Sequence, residues 1–393
     1  MDPIDFSDTK IAFAHRSDRE LRQTARLFGM MNHPKLVDIG ARLGVMAIHA
    51  GLPFIKTLVR NTIYKQFVGG TTLLNSEPVI EKLWENGVAT ILDYGVEARQ
   101  NESDFNQTMN ENIRALDFAS RNDALPVVST KITGLARFGL LEKIQSGNPL
   151  SEDEKQEFMQ VRKRLDAICH AASERNLSVF FDAEESWIQD TLDNLVVTMM
   201  ERYNLERPVV YNTFQLYRHD RLAYLKASFQ EAQLKGYKLG AKLVRGAYQD
   251  KERERATEYR YQDPIQPDKP STDRDFNAAI RFCIDHHQDI GLCNATHNAE
   301  SCQIMVRLIE ERNLPKDHPN LNFSQLLGMS DNLTFHLAAR GYNVAKYMPY
   351  GPVRDVLPYL VRRAQENSSV TGDMSREYNL VQRELQRRRK EKS

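Results

Sequence analysis

The chain of 393 residues has no excess charge of either sign: lysine plus arginine and aspartate plus glutamate each number 53. Without a basic surplus, nucleic acid is not an expected partner, and any electrostatic function has to be local. Cysteine is scarce. The four residues, Cys169, Cys283, Cys293 and Cys302, have no paired spacing, which argues against a disulfide framework and a zinc site and predicts reduced thiols. The opening stretch MDPIDFSDTKIAFAHR lacks a basic segment followed by an apolar one, so no secretory leader is expected and the cytoplasm is the expected location. Long hydrophobic runs are missing too. The most apolar window, Leu36 to Val59, is broken by Asp38, Arg42, His49 and Lys56, too often for a bilayer span. A core-packing helix and a helix lying in a membrane interface both remain open for it.

What is present is a core-forming composition, 41% hydrophobic, and an alternating pattern. After a helix-rich stretch to about Asn86, short apolar runs alternate with amphipathic segments. The runs are VATILDYG from Val88, LPVVSTKI from Leu125, LSVFFDAEE from Leu177 and PVVYNTFQ from Pro208. LGAKLVRGAY from Leu239, IGLCNATHN from Ile290, LNFSQLLGM from Leu321 and NVAKYMPYG from Asn343 complete the set. Helices are expected at 103–122, 152–176, 189–203, 220–235, 274–286, 299–313 and 331–339. Strand-helix alternation of this kind predicts an α/β fold, a (β/α)8 TIM-type barrel behind a helical N-terminal region. The rival, a doubly wound dinucleotide-binding sheet, lacks its GxGxxG: the turn after TILDYG has none. Domain limits of 1–86, 87–370 and 371–393 follow.

Barrel enzymes carry their chemistry at the C-terminal ends of the strands. The polar residues of these runs gather there: Asp93 and Glu97, Lys131, Asp182, Asn212, Lys242 and Arg245, Thr296 to Asn298, and Tyr347. Asp and Asn at a strand end can be helix caps, but repeated lysine and arginine there are harder to explain that way and suit an anionic ligand. A neighbour is expected to pair with Asp182, because a lone buried charge is costly. The adjacent Arg362 and Arg363 of PYLVRRAQENSS stand in an apolar helical pattern, where two guanidiniums converge only if the helix faces a cleft.

Several strings together, KLVRGAY, FDAEE, ATHN, TKITGL and PYG followed by YLVRRAQEN, resemble the proline dehydrogenase family, from about Phe67 to Asn367. The resemblance implies a distorted (β/α)8 barrel with flavin adenine dinucleotide, oxidising L-proline to Δ1-pyrroline-5-carboxylate by hydride transfer to flavin N5 and passing electrons to a membrane quinone. Arg362 and Arg363 would bind the substrate carboxylate, with Lys131 as a third ligand held by Asp182. Tyr347, Tyr359 and Tyr248 would wall the ring, and Glu97 would close a lid by pairing with Arg362. Lys242 would lie near N5, Ala183 against the flavin, and Asn212 where other members carry glutamine. Arg245, Gly246 and Ala247 with Thr296, His297 and Asn298 would line the pyrophosphate and ribityl chain, and Lys269, Thr272 and Glu366 would add further cofactor contacts.

The chain has no room for the fused aldehyde dehydrogenase domain of bifunctional relatives, so a monofunctional enzyme of the eukaryote-like branch is expected. The tail from Arg376 to Ser393, with seven basic and three acidic residues, reads as a solvated extension or as a segment drawn to anionic lipid, giving peripheral attachment at the inner face of the membrane. Two other classes stay in view. One is a Schiff-base aldolase using Lys131 or Lys242 on a carboxylate-bearing substrate. The other is a peripheral membrane scaffold, which leaves the charged strand ends unexplained.

Overall fold

A computed structural model describes the backbone of residues 3–32, 57, 59–95, 99–369 and 373–392. Apart from Thr57 and Val59, the apolar window lies outside the described residues, as does Glu97. Eight strands run β1 (Ala89–Tyr94), β2 (Val127–Thr130), β3 (Ser178–Phe181), β4 (Val210–Gln215), β5 (Leu239–Val244), β6 (Ile290–Ala295), β7 (Leu321–Leu326) and β8 (Val344–Tyr350). They follow one another as a closed parallel barrel in sequence order, each inside one of the apolar runs. β4 and β8 are buried along their whole length, as expected of strands covered on both faces.

Glycine shapes the barrel floor. Gly240 and Gly291 are partners across β5 and β6, and a side chain on either would strike Tyr211 of β4. That gap lets the Tyr211 ring lie across the interior, 4.7 Å from Phe180 between ring centroids.

The helices follow the expected segments with two instructive departures. The helix expected from Arg274 starts at Lys269, because Asp268 caps it by accepting from the Ser271 amide and Pro270 sits in its first turn. A helix at Gln249–Tyr259 was not expected from apolar periodicity. Its only buried residues are Glu252 and Ala256, so polar contacts dock it.

The chain forms two compact units, Ile91–Ser324 and Met1–Thr90 with Gln325–Ser393, which cut across the limits drawn from sequence. In the second of these, the C-terminal segment departs from a solvated extension. It is a helix, Asp373–Lys392, whose Leu380, Val381 and Leu385 are buried with Ala12, Phe13, Leu21 and Ala25 of the N-terminal helices. Its basic residues are largely engaged: Arg388 donates to the carbonyls of Phe13 and Arg16 and to Asp18, and Arg387 pairs with Glu384. Among the described residues no helix is long and apolar enough to cross a membrane.

Candidate functional site

In the unit Ile91–Ser324, strand alternation brings charges to the C-terminal ends of β2, β3 and β5. Asp182, just past β3, lies two residues beyond the inward Phe180 and shares its face. Its carboxylate accepts from Lys242 of β5 at 2.5 Å, from Lys131 past β2 at 3.3 Å and from the Ser129 hydroxyl at 3.1 Å. The side chains are 13, 6 and 11% exposed for Asp182, Lys242 and Lys131. Two cations share this carboxylate in a poorly hydrated place at the strand ends. The Lys242 ammonium also lies 5.7 Å from the Phe180 ring centroid.

Beside β5 a second group assembles around Asp273, which accepts from Arg245 Nε and Nη2 at 2.8 and 2.6 Å and from Lys269 at 2.5 Å. Arg245 further donates to Thr296 Oγ1 and Ser301 Oγ and lies 4.3 Å over the Phe276 ring. Asn298 caps the helix Ala299–Glu311, and Thr272 is buried in the first turn of the Lys269 helix. Gly246 and Ala247 present exposed backbone, and Gly246 adopts φ +144°, where a Cβ would collide with the Tyr217 ring. Tyr248 and His297 are half-buried, while Ala183 is buried next to Asp182.

In the other unit, Tyr347 of β8 is buried, and Arg362 and Arg363 stand half-buried on the helix Leu357–Ser369. The Arg363 guanidinium lies 5.6 Å over the ring of buried Tyr359. Glu366 lies on the same helix, its side chain outside the described residues.

One expected residue is turned elsewhere. The Asn212 amide donates to Asp193 of the helix Ser186–Tyr203, and Asp193 also takes the buried Arg221 at 2.6 Å, so Asn212 belongs to the strand-helix layer. The β4 amide of opposite phase is Gln215, buried, with an Oε1 that has no protein partner. Its signal in the sequence was its place as the last residue of PVVYNTFQ. Glu184 and Asp273 also escaped notice, since neither ends a strand within the barrel wall.

The family model described as proline dehydrogenase matches residues 77–376, a span holding all eight strands, FDAEE, KLVRGAY and the arginine pair. The chain belongs to the proline dehydrogenase family. Within that family it is 32% identical to the mitochondrial proline dehydrogenase 1 of Dictyostelium discoideum, over 91% of this chain and 69% of that one. It is 31% identical to a hydroxyproline dehydrogenase of Xenopus laevis, over 98% and 90%. Among solved structures it resembles proline utilization A from Bdellovibrio bacteriovorus, with TM-score 0.72 and 20% identity, covering 92% of this chain and 38% of that longer one. At that identity the likeness speaks for the fold alone. Membership of this flavin-dependent family leaves the aldolase without support. The geometry agrees: Lys131 and Lys242 are both ion-paired with Asp182, whereas an imine-forming lysine attacks through a free, neutral amine.

Proposed function

We propose that this chain is a flavin-dependent proline dehydrogenase that oxidises L-proline to Δ1-pyrroline-5-carboxylate, the first step of proline catabolism, with a membrane quinone as final electron acceptor. The observation that carries the reading is the Lys131–Asp182–Lys242 cluster at the C-terminal ends of β2, β3 and β5 in a chain of this family.

The residues present fit FAD. Gln215 keeps a buried acceptor without a partner, Lys242 brings a cation to the same strand-end layer, and the open backbone at Gly246 and Ala247 leaves room for a linker along Arg245 and Lys269. When bound, the flavin supplies a hydride acceptor that no side chain can provide. The chain's own residues bind and orient. Arg362 and Arg363 take the substrate carboxylate, because planar forks of donors meet it bidentately and stay charged at any working pH. Lys131 adds a third cation, and Asp182 restrains Lys131 and Lys242 together. Tyr347, Tyr359 and Tyr248 supply apolar walls. A ring held in one pose reacts faster by several orders of magnitude than one that tumbles. Water takes the proton of the substrate amine, so the rate rises with pH. Glu97 acts as the lid residue. The location at the inner face of a membrane belongs to this proposal as well.

The test is an absorbance spectrum before and after L-proline. Flavin bands that bleach on adding substrate are expected, and a colourless protein or an unresponsive spectrum would overturn the reading. The name of the Xenopus relative raises the hydroxylated ring as a rival substrate. The Tyr347 phenol should disfavour it, and Tyr347→Ser should narrow the gap between L-proline and 4-hydroxy-L-proline. An unchanged gap would remove Tyr347 from the ring wall.

A further inference from the structure

Glu184 follows the site carboxylate by two residues, is buried to 3% exposure, and has no part in the roles described so far. Both of its carboxyl oxygens are spent on one residue. The Thr133 backbone amide donates to Oε1 at 3.1 Å and the Thr133 hydroxyl donates to Oε2 at 2.5 Å. Thr133 lies in the short turn Ile132–Gly134, two residues on from Lys131. The backbone of Glu184 is anchored on both sides: its amide donates to Gln189 Oε1 at 2.8 Å, and its carbonyl accepts from Gln215 Nε2 at 3.1 Å. One residue therefore fastens the segments that follow β2 and β3 to each other and to the last residue of β4.

We propose that Glu184 is a positioning residue: by gripping Thr133 through both carboxyl oxygens it fixes the turn after β2 and so keeps the Lys131 ammonium over Asp182, ready for a substrate carboxylate. This rests on the reading of Lys131 as a carboxylate ligand. The last ladder pair of β2 is Thr130 with Phe181, so Lys131 is the first residue past the ladder and its direction depends on the turn that follows.

The charge state sharpens the role. Burial first, and then the neighbouring carboxylate of Glu185, push the Glu184 acid up to about 8, while Thr133 and Lys131 pull the other way. Glu185, on the same segment, is itself ion-paired with Lys251 of the helix Gln249–Tyr259. At neutral pH Glu184 holds its proton, so across the same Oε2 contact the acid donates to the Thr133 hydroxyl, and it adds no anion beside Lys131. Above about pH 8 it ionises and competes for that ammonium, so affinity for a carboxylate ligand should fall.

The experiment uses the full chain as purified with its cofactor and titrates cyclopentanecarboxylate, a ring carboxylate with no amine to oxidise or deprotonate, by calorimetry from pH 6.5 to 9.5. Wild type should lose affinity severalfold above pH 8. Glu184→Gln can accept from the Thr133 amide and donate to its hydroxyl but cannot ionise, so it should bind like wild type at pH 7 with a flat profile. Glu184→Ala should bind severalfold more weakly at every pH with unchanged cofactor content. Wild-type affinity in Glu184→Ala, or a wild-type alkaline limb in Glu184→Gln, would overturn the proposal; should the alanine variant fail to fold, the glutamine profile decides alone. A protein that shows the expected binding but leaves L-proline unoxidised sinks the functional reading and spares this one. No binding by wild type removes both.

Discussion

Each of the two units holds a carboxylate largely withdrawn from water with cations around it, and the two clusters differ in where they stand. Asp182 meets two lysines and a serine at strand ends, where the backbone of Gly246 and Ala247 is exposed nearby along the chain. Asp331 meets Arg16 at 2.7 Å, Lys346 of β8 at 2.9 Å and His15 at 3.8 Å, and Lys346 is 1% exposed. Lys346 also donates to the Met329 carbonyl at 2.5 Å, and His15 stacks on Phe335 at 3.7 Å. The second cluster ties the N-terminal segment to β8 and to the helix Asp331–Ala339. Its charges are held by one another and by backbone carbonyls. The first stands at the C-terminal strand ends, where barrel enzymes carry their chemistry. The lesson is that a buried ion pair by itself marks no active site; place along the strand separates fastening from chemistry.

Breaking the fastening should have the largest effect. Asp331→Ala leaves Arg16 and Lys346 buried without their counter-ion and should cost about 3–5 kcal/mol in urea denaturation. A loss below about 1 kcal/mol would mean the two clusters do not differ in kind. The opposite outcome is expected for Asp182→Asn, with kcat/KM for L-proline down by about 100-fold or more and a thermal midpoint that moves far less than in Asp331→Ala. Equal effects on both would erase the distinction. Arg363→Met should retain cofactor and raise the KM for L-proline by roughly tenfold or more, since a charge-assisted bond is worth about 1.5–3 kcal/mol; an unchanged KM would remove it from carboxylate binding.

Titration sharpens the comparison. Burial first, against the pull of Asp331, lowers the His15 imidazole from 6.5 to about 3. Burial alone would raise the Asp331 carboxyl, but Arg16 and Lys346 overcome it and hold the acid well below its usual 3.8. Both depressed groups release protons on folding, so this cluster loses stability as pH falls from about 6.5. Glu184 has the opposite sign: raised from 4.5 to about 8, it loses stability as pH climbs through that window. His15→Gln should therefore flatten the acid side of a plot of thermal midpoint against pH, and Glu184→Gln the alkaline side. Identical curves for either variant would refute the assignment. The smallest effect belongs to Lys392→Ala. Its partner Asp18 keeps Arg388, and the lysine is 71% exposed, so no measurable change in midpoint is expected.

By itself the sequence determined the number and order of strands and the meeting of strand-end Lys131 and Lys242 near Asp182. These are local signals: apolar runs of strand length, and charged residues where some of them stop. Tertiary structure decided which side of a wholly buried strand each polar residue faces. In β4 both faces are covered, so alternation has no wet side to fix its phase, and Asn212 went to the helix layer while Gln215 kept the free acceptor. It decided the fate of the C-terminal segment as well. Charge counting made that segment a solvated tail, but Leu380, Val381 and Leu385 find a partner surface more than 350 residues away in the chain, and Arg388 finds the carbonyls of Phe13 and Arg16. A partner so distant leaves no periodicity in the local string, because the burial that selects it exists only once the chain has closed.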